Sequence, residues 1–413
     1  MSSAAAHSGD PYAGHGSQSG FGYSQNQPPP YMQPPDTPSR SSYYPSKTAA
    51  TEQTSSGFYD RGMSTSRRNP KNWSRKCWII LAIVSIIVIV IVIVVAVVVT
   101  RENRYPNYSK LQYNLVDTFS GTNFFDNFDY FTGYDPAAGF VHYVDGPGSV
   151  ALNLTYATAT SAILRVDLSD TDTTTGRKSV RVTSKNTYND GLFIFDVKHS
   201  PYGCSTWPAL WLTDPSNWPT NGEIDVAEAT NLAPDGNQVT LHTTKDCKMN
   251  VKRKEIGHSM STNCLNSTDG DSGCGVQGSK ATFGEEFNNN GGGIYAMELR
   301  DAGIRVWFFD RDNVPNDITT SPSNSTSVTP DPSTWPQALA DFPSTDCDIG
   351  SHFRNQSIIA NIDLCGDWAG QPKYYTEQSK CPGTCVDYVS NQPGSAYQNA
   401  YWEFGAFRVY QAS

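Results

Sequence analysis

Three carboxylates in one short segment are the residues of this chain best placed to do chemistry. Glu223, Asp225 and Glu228 lie within the sequence NGEIDVAEATN. Carboxyl groups held close together can divide acid, base and nucleophilic roles, because burial and a nearby like charge keep one of them protonated. The alternative for such a segment is a solvated strand face.

The three side chains meet only if the segment is a strand with one irregularity. Side chains alternate between the two faces of a strand, so Glu223 and Asp225 share a face and Glu228 points away. One extra residue between Asp225 and Glu228, a β-bulge, returns Glu228 to the common face. We then expect the carboxyl groups of Glu223 and Glu228 to approach about 5–5.5 Å, the separation found in retaining glycosidases.

In that arrangement each carboxyl group has its own role. Glu223 would attack an anomeric carbon, and Glu228 would protonate the leaving oxygen and later deprotonate water. Asp225 would hold Glu223 in place and help to keep the pKa of the acid high.

Tryptophans just before the carboxylates favour a carbohydrate groove. Trp207, Trp211 and Trp218 precede Glu223, and Gly222 stands directly before it. Sugar rings have apolar C–H faces that stack on aromatic rings, while their hydroxyls bind carboxylates and amides. For each tryptophan taken alone, packing in a core is the alternative.

The elements that position these residues are predicted to be strands. Residues 105–413 lack long helical periodicity, and short runs of β-branched and aromatic residues alternate with Gly, Asn, Asp and Pro clusters. This pattern indicates an antiparallel β-sandwich or jelly roll, with an extended surface loop from Asp312 to Pro343. The predicted strands are Ser179 to Ser184, Gly191 to Val197, Gly222 to Val226, Gln238 to Thr243, Gly292 to Glu298, Ile304 to Phe309, Ser357 to Ile362 and Tyr401 to Tyr410.

A long apolar segment precedes the predicted strands. The run Cys77 to Val99 is almost entirely Ile and Val and carries no charge. As a helix it would span about 34 Å, enough to cross a hydrocarbon core of about 30 Å, and a single crossing must be helical to satisfy its backbone. We therefore predict a transmembrane helix at 77–99, and not a signal peptide, because the run starts far from the N-terminus.

Charge on either side of the helix predicts its orientation. Residues 1–76 are rich in Ser, Pro, Gly, Tyr and Gln and are predicted to be a disordered cytoplasmic tail. Positive charge clusters before the helix, which predicts a single-pass type II membrane protein with the remainder extracellular or lumenal. The flanking charges are Arg67, Arg68, Lys71, Arg75 and Lys76 before the run, and Arg101 and Arg104 after it.

Cysteines and glycosylation sequons also favour an extracellular or lumenal location for the part of the chain after the helix. Eight of the nine cysteines follow the helix, an even number that fits four disulfides in an oxidising compartment. A zinc site is the alternative, although no paired Cys-x-x-Cys motif supports it. Asn-x-Ser/Thr sequons, which are glycosylation acceptors, occur at Asn107, Asn153, Asn266, Asn324 and Asn355.

Net charge limits the class of partner. The formal net charge is −10, with 30 Lys and Arg against 40 Asp and Glu. A nucleic-acid binder would carry a basic face, so we predict no nucleic-acid partner.

The carboxylate strand and its surroundings resemble glycoside hydrolase family 16. NGEIDVAEATN is similar to the bulged E-[IL]-D-x-x-E strand of laminarinase-like members, and not to the shorter strand of bacterial lichenases. The resemblance covers nearly all of residues 111–413, after a linker at 100–110. Further segments that resemble fungal endo-β-1,3(4)-glucanases are NLVDTF, GFVHYV, SVRVTSKNTYNDGLFIFDVKH, VTLHT, GCGVQ, GGGIYAME, VWFF, CGDWAG and CPGTCVDYV.

The resemblance implies an all-β, concanavalin-like β-jelly-roll sandwich with an open cleft, acting by retaining double displacement. It implies that Glu223 is the nucleophile, Glu228 the acid/base and Asp225 the assisting carboxylate. The implied reaction requires no cofactor. We expect no catalytic metal ion, and we expect the protein to be a monomer. The residues that it places along the substrate cleft are Trp211, Trp218, His242 and Trp368, with core packing as the alternative for His242 and Trp368.

Two departures from the family pattern affect sugar affinity more than chemistry. Ala229 stands where relatives often carry Gly, and Leu299 stands where an aromatic residue often follows YAME. Neither removes a catalytic carboxylate.

The sequence leaves several functions open. The first is a membrane-anchored hydrolase of 1,3- or mixed 1,3/1,4-β-glucan. The second is a cell-wall transglycosylase, in which a sugar hydroxyl captures the glycosyl-enzyme. A non-catalytic glucan-binding protein and a structural membrane protein are further alternatives, against which the intact Glu223 and Glu228 argue.

Overall fold

The computed structural model describes residues 73–413, except 103, 172, 269, 271 and 319–328. The predicted disordered tail therefore lies almost wholly outside the described residues. The sequon at Asn324 lies outside them too.

The first described element is a long apolar helix. α1 spans Arg75–Glu102, and extends the predicted 77–99 at both ends. Among the described residues it is the one helix long and apolar enough to cross a membrane. Its Ile and Val side chains are exposed along the whole length, a surface that a soluble protein would bury. The remaining α-helices are short: α2 Gly146–Ala151, α3 Gly284–Asn289, α4 Ile349–His352, α5 Gly366–Ala369 and α6 Cys385–Asn391.

Strands make up most of the chain that follows α1. All eight predicted strands are present, with shifted bounds. The strands are β1 Tyr113–Ser120, β2 Phe128–Tyr130, β3 Val141–Tyr143, β4 Thr155–Ala157, β5 Ala162–Arg165, β6 Arg177–Ser179, β7 Arg181–Tyr188, β8 Gly191–His199, β9 Thr206–Thr213, β10 Glu223–Glu228, β11 Gln238–His242, β12 His258–Ser259, β13 Cys274–Gln277, β14 Gly293–Arg300, β15 Gly303–Asp310, β16 Ala340–Pro343, β17 Gln356–Leu364 and β18 Tyr401–Ala412.

These strands form two large antiparallel sheets. The first sheet has the order β16-β15-β14-β8-β18-β5-β4, with β1 also paired to β18. The second has the order β12-β13-β11-β10-β9-β17-β7-β2 and carries the three carboxylates on β10. A small parallel pair, β3 and β6, stands apart from both. The predicted all-β sandwich is confirmed.

One continuous apolar core includes residues from both sheets. Phe193 and Phe195 of β8 and Leu210 and Leu212 of β9 are almost completely buried in it. Alternating residues of β9 and β10 point away from this core, because side chains on a strand alternate between its faces. The second sheet can therefore present chemistry on its outer face while its inner face holds the fold together.

A second apolar cluster corrects one prediction. The segment from Asp312 to Pro343 is not a surface loop throughout, because its last four residues form β16. Trp335 is buried in this cluster, with its ring centroid 5.1 Å from that of Trp307. Its indole N–H also donates to Asp317 at 3.0 Å. The Pro- and Ser-rich composition of the segment gave no sign that Trp335 and Asp317 hold it against the sandwich.

Four disulfides cross-link the sandwich, as the cysteine count predicted. The remaining cysteine, Cys77, is exposed on α1. The pairs are Cys204–Cys381, Cys247–Cys347, Cys264–Cys274 and Cys365–Cys385.

Candidate active site

The carboxylate strand β10 contains the predicted bulge. Asp225 and Glu228 pair with Thr240 and Gln238 of β11, so three steps on β10 match two on β11. The register against β9 shifts in the same interval. The extra residue brings Glu228 to the face of Glu223 and Asp225, whose charges both act on it. The predicted bulge is therefore confirmed.

A buried asparagine stabilises the bulge. A bulge leaves backbone groups without ladder partners. The Asn237 side chain donates to the Val226 carbonyl at 2.9 Å and accepts from the Glu228 N–H at 2.7 Å. Asn237 is completely buried. Asn237 was not predicted from the sequence, because nothing there distinguishes it from an ordinary asparagine before a strand.

The start of β10 depends on a glycine. Gly222 has φ of +73°, a left-handed conformation that other residues seldom adopt. A Cβ at this position would lie 2.4 Å from the His352 carbonyl oxygen. Glycine therefore lets the chain turn tightly into the strand and places Glu223 directly at its first position.

Two indole N–H groups orient the outer carboxylates. Trp218 donates to Glu223 at 2.7 Å, and Trp207 donates to Glu228 at 2.7 Å. Each bond holds one oxygen of its carboxyl group. Trp218 itself is 48% exposed, which leaves part of its ring free to meet a ligand. Trp207 was noted in the sequence as an aromatic neighbour, not as a partner of Glu228.

Asp225 lies against His242 of the neighbouring strand. The His242 Nε2 atom is 3.4 Å from Asp225 Oδ2. Glu223 joins them, and one donor atom from each of the three residues lies within 4.8 Å of the others. Such a His and carboxylate set could ligate a metal ion in principle. The proton transfers of a carboxyl pair require no metal, so we assign the set to acid–base chemistry.

The surroundings raise the pKa of all three carboxyl groups. Burial, followed by the charge of Asp225, raises the pKa of Glu223 to about 7. Burial raises the pKa of Asp225 above its ordinary value as well. Burial and the Asp225 charge hold the pKa of Glu228 well above its ordinary value. Groups coupled in this way share their protons, so one member stays protonated near neutral pH while another ionises.

Aromatic and polar side chains continue across the sheet beyond β10. The Trp211 indole donates to Asn361 Oδ1 of β17 at 2.8 Å. The Arg181 guanidinium of β7 lies between two rings, 4.8 Å from the centroids of both Trp211 and Phe131. Its positive charge also lowers the pKa of Glu223. Sequence reasoning missed Arg181 and Asn361, because strand register alone brings them to Trp211.

Trp368 reaches the carboxylates through another tryptophan. Its ring meets the Trp207 ring edge-on, with centroids 5.8 Å apart. The Tyr374 ring also meets Trp368 edge-on, with centroids 5.9 Å apart. Trp218 and His242 thus contact the carboxylates, and Trp368 contacts Trp207, which is bonded to Glu228. Trp211 lies on β9 opposite Asp225.

Together the two-sheet sandwich, the bulged carboxylate strand and its bordering tryptophans define a glycoside hydrolase of the sandwich type. The chain belongs to glycoside hydrolase family 16. The XgeA-like catalytic domain of that family matches residues 128–410. The match includes β10 with all three carboxylates.

Fungal relatives support this membership. A probable glycosidase of Schizosaccharomyces pombe is 42% identical over 313 residues, covering 75% of this chain and 72% of that protein. An endo-1,3(4)-beta-glucanase of Arthroderma benhamiae is 37% identical over 310 residues, covering 72% and 65%. The xgeA endo-1,3(4)-beta-glucanase of Emericella nidulans is 34% identical, covering 72% and 46%. The chain thus spans about half to two thirds of these two glucanases.

Two solved structures of family 16 enzymes are similar to the chain in both sequence and fold. Laminarinase 16A from Phanerochaete chrysosporium is 45% identical with a TM-score of 0.68, covering 73% of this chain and 100% of that one. An elongating family 16 beta-1,3-glucosyltransferase is 36% identical with a TM-score of 0.65, covering 72% and 100%. The family therefore includes both hydrolytic and transferring enzymes on this framework.

Proposed function

We propose that this protein is a retaining endo-β-glucanase that hydrolyses 1,3- or mixed 1,3/1,4-linked β-glucan. The observation that carries the proposal is the bulged strand β10, which gathers Glu223, Asp225 and Glu228 and gives the outer two an indole N–H each. The named activities of the fungal relatives, endo-1,3(4)-beta-glucanase and laminarinase, support the substrate class.

The reaction proceeds in two displacements. Glu223 Oε forms a bond to the anomeric carbon while the bond from that carbon to the leaving oxygen breaks, and Glu228 gives its proton to that oxygen. Glu228, now ionised, takes a proton from water as the water oxygen attacks the anomeric carbon and releases Glu223. The raised pKa of Glu228 suits the first half of this cycle.

The neighbours of the pair support these roles. Asp225 keeps the proton affinity of both glutamates high, while His242 and Arg181 favour the ionised form of Glu223. We assign Trp211, Trp218, His242 and Trp368 to the walls that hold the polysaccharide. The exposed ring of Trp218 offers a stacking surface directly beside the nucleophile.

The substrate and reaction type are tested by product analysis. The full chain and the Glu223→Gln and Glu228→Gln variants are incubated with laminarin, lichenan and labelled laminari-oligosaccharides, and the products are separated by size. We expect shorter products from the unaltered chain alone. Glu228→Gln should lose about 10²–10⁴-fold on glucan and far less on a β-glucoside with a good leaving group, which needs no acid. Binding without turnover by the folded, unaltered chain would favour a glucan-binding protein.

A transglycosylase is the second candidate, favoured by the likeness to an elongating β-1,3-glucosyltransferase. The chemistry is identical until a sugar hydroxyl replaces water in the second displacement. Products longer than the labelled starting oligosaccharide would establish this function.

We further propose that α1 anchors the chain in a membrane as a single-pass type II protein. The apolar length of α1, the basic residues before it and the four disulfides after it support this orientation. The sandwich would then lie outside the cell or in the lumen of the secretory pathway.

Glycan mapping tests the orientation. Asn107 and Asn153 are exposed, whereas Asn266 is buried and the Asn355 amide donates to Asp214 at 2.9 Å. We expect a glycan on Asn153, which lies away from α1 in sequence, in chain expressed in a eukaryotic host, with mass spectrometry as the readout. An unmodified Asn153 would contradict the lumenal placement.

A further inference from the structure

The segment between α1 and the sandwich is fastened to the sandwich. The predicted linker at 100–110 is shorter than expected, because α1 continues to Glu102. Its residues 104–110 will be called the strap. The Arg104 carbonyl accepts from Thr345 Oγ1 at 3.0 Å. The hydroxyls of Tyr105 and Tyr108 donate to the two oxygens of Asp341 at 2.9 and 3.3 Å. Asp341 is completely buried, so the strap occupies a built site and not an open surface.

Cations from the sandwich cover both tyrosine rings. Lys254 Nζ lies 4.2 Å from the Tyr105 ring centroid, and the Arg305 guanidinium carbon lies 4.1 Å from that of Tyr108. The end of the strap is held as well, because Lys110 Nζ lies 3.0 Å from an oxygen of Asp331. Cation–π contacts and buried hydroxyl bonds of this kind fix a segment along its whole length.

Little chain remains between α1 and the strap. The uncharged run of α1 ends at Thr100, and the first docked group is the Arg104 carbonyl. Four residue steps span at most about 14 Å even when fully extended. The sandwich surface around Thr345 must therefore lie within about 14 Å of the end of the uncharged run of α1.

This attachment point belongs to one edge of the sandwich. Thr345 follows β16, the outer strand of the first sheet. Gly257, just before β12 at the outer edge of the second sheet, donates to the Leu339 carbonyl at 2.9 Å. The disulfide Cys247–Cys347 joins the same two regions. We call this the tethered edge. The opposite edge is formed by β4 and β2.

The residues that we assign to the substrate cleft lie between these two edges. They extend across the second sheet from His242 on β11, through the carboxylates on β10 and Trp211 on β9, to Arg181 on β7. One end of the cleft is therefore next to the tethered edge, and the other end opens toward β2.

We propose that the strap holds the tethered edge against the lipid surface, so that the cleft of the anchored enzyme stands with one end at the membrane and the other directed away from it. The proposal rests on the membrane anchoring proposed above. It assigns the tethered edge a partner, the headgroup layer, and it restricts the enzyme to glucan segments that enter this layer.

Energy transfer to lipid headgroups tests the orientation. The full chain, with Cys77→Ser, carries one donor dye at Asp301→Cys beside the tethered edge or at Asp129→Cys on β2. Both positions are exposed aspartates, which makes the two variants a matched pair. The chains are reconstituted into phosphatidylcholine vesicles with an acceptor on the headgroups. Because seven strand spacings separate the edges by up to about 34 Å, we expect transfer from position 301 to exceed that from 129 by about twofold or more.

A strap variant identifies the cause of any difference. Tyr105→Ala with Tyr108→Ala removes both rings and both hydroxyls, and should bring the two transfer efficiencies together. Tyr105→Phe with Tyr108→Phe keeps the rings over Lys254 and Arg305 and should fall between. Turnover of a short soluble oligosaccharide reports that each variant has folded.

Three results would overturn the proposal. These are equal transfer from both positions in the unaltered chain, stronger transfer from position 129, and a difference that survives loss of both tyrosines. Vesicle flotation distinguishes these three results from a chain that does not bind the vesicles at all. If the chain does not float with the vesicles, the proposed anchoring is wrong and the orientation falls with it.

Discussion

At the residue scale, the three carboxyl groups differ in what surrounds them. Glu223 is partly exposed and has a bond from Trp218, the charge of His242 and the charge of Arg181 to favour its ionised form. Glu228 is 8% exposed, and its carboxyl group accepts a hydrogen bond from the Trp207 indole. The environment thus separates a group suited to attack from a group suited to carry a proton.

Asp225 couples the two glutamates, and this coupling is testable by pH. Its negative charge raises the pKa of Glu223 and of Glu228. Glu223 must be ionised, so kcat/KM should rise with pH through about 7, and it should fall again when Glu228 loses its proton. In Asp225→Asn we expect both limbs to move to lower pH, as measured by kcat/KM on a laminari-oligosaccharide.

A matched change should have the opposite sign. His242 lowers the pKa of Glu223, so in His242→Gln the acid limb should move to higher pH. A pH profile that is the same in Asp225→Asn and the unaltered chain would mean that Asp225 does not act through charge.

At the scale of elements, the bulge in β10 was predictable and its support was not. The spacing E-x-D-x-x-E has the wrong parity for a regular strand, so one extra residue follows from the alternation of side chains. Runs of β-branched and aromatic residues between Gly, Asn, Asp and Pro clusters predicted eight of the strands. Asn361 and Arg181 could not be found in this way, because their pairing depends on strand register between segments far apart in sequence. Asn237 lies only nine residues from Glu228, but nothing in the sequence distinguishes its side chain from that of an ordinary asparagine before a strand.

The support of the bulge can be measured directly. Asn237→Ala leaves the Val226 carbonyl and the Glu228 N–H without partners in a buried site. We expect the free energy of unfolding to fall by about 2–4 kcal/mol, and kcat to fall more than KM rises because Glu228 loses its position. Denaturant unfolding followed by tryptophan fluorescence, and steady-state kinetics, provide the two readouts.

The control for this change is an exposed asparagine. Asn250→Ala should alter the free energy of unfolding by no more than about 0.5 kcal/mol. If Asn237→Ala behaves like Asn250→Ala, the bulge does not depend on its side chain.

At the scale of the whole molecule, disulfides join segments that are far apart in sequence. Cys247 and Cys347 are separated by 100 residues, whereas Cys264 and Cys274 are separated by 10. The entropy lost by the unfolded chain grows with the logarithm of the loop length, so the longer link should stabilise by about 2 kcal/mol more. Unfolding of the two Cys→Ser double variants in detergent tests this order, and equal losses would contradict it.

The sequence predicted the number of disulfides but not their pairing. Eight cysteines allow 105 connectivities, and burial against particular strands selects one. The same limit applied to residues 104–110. The sequence predicts a linker here, because the aspartate that binds both tyrosines of this segment lies more than 200 residues away.

The central claim is that Glu223 is the nucleophile of a retaining glucanase, and trapping the glycosyl-enzyme tests it most directly. A 2-deoxy-2-fluoro laminaribioside with a good leaving group slows the second displacement, so the covalent ester should accumulate. Mass spectrometry of the digested chain should find the sugar on the peptide that contains Glu223, and Glu223→Gln should carry none. An adduct on another residue, or turnover of laminarin with inversion at the anomeric carbon, would contradict the account.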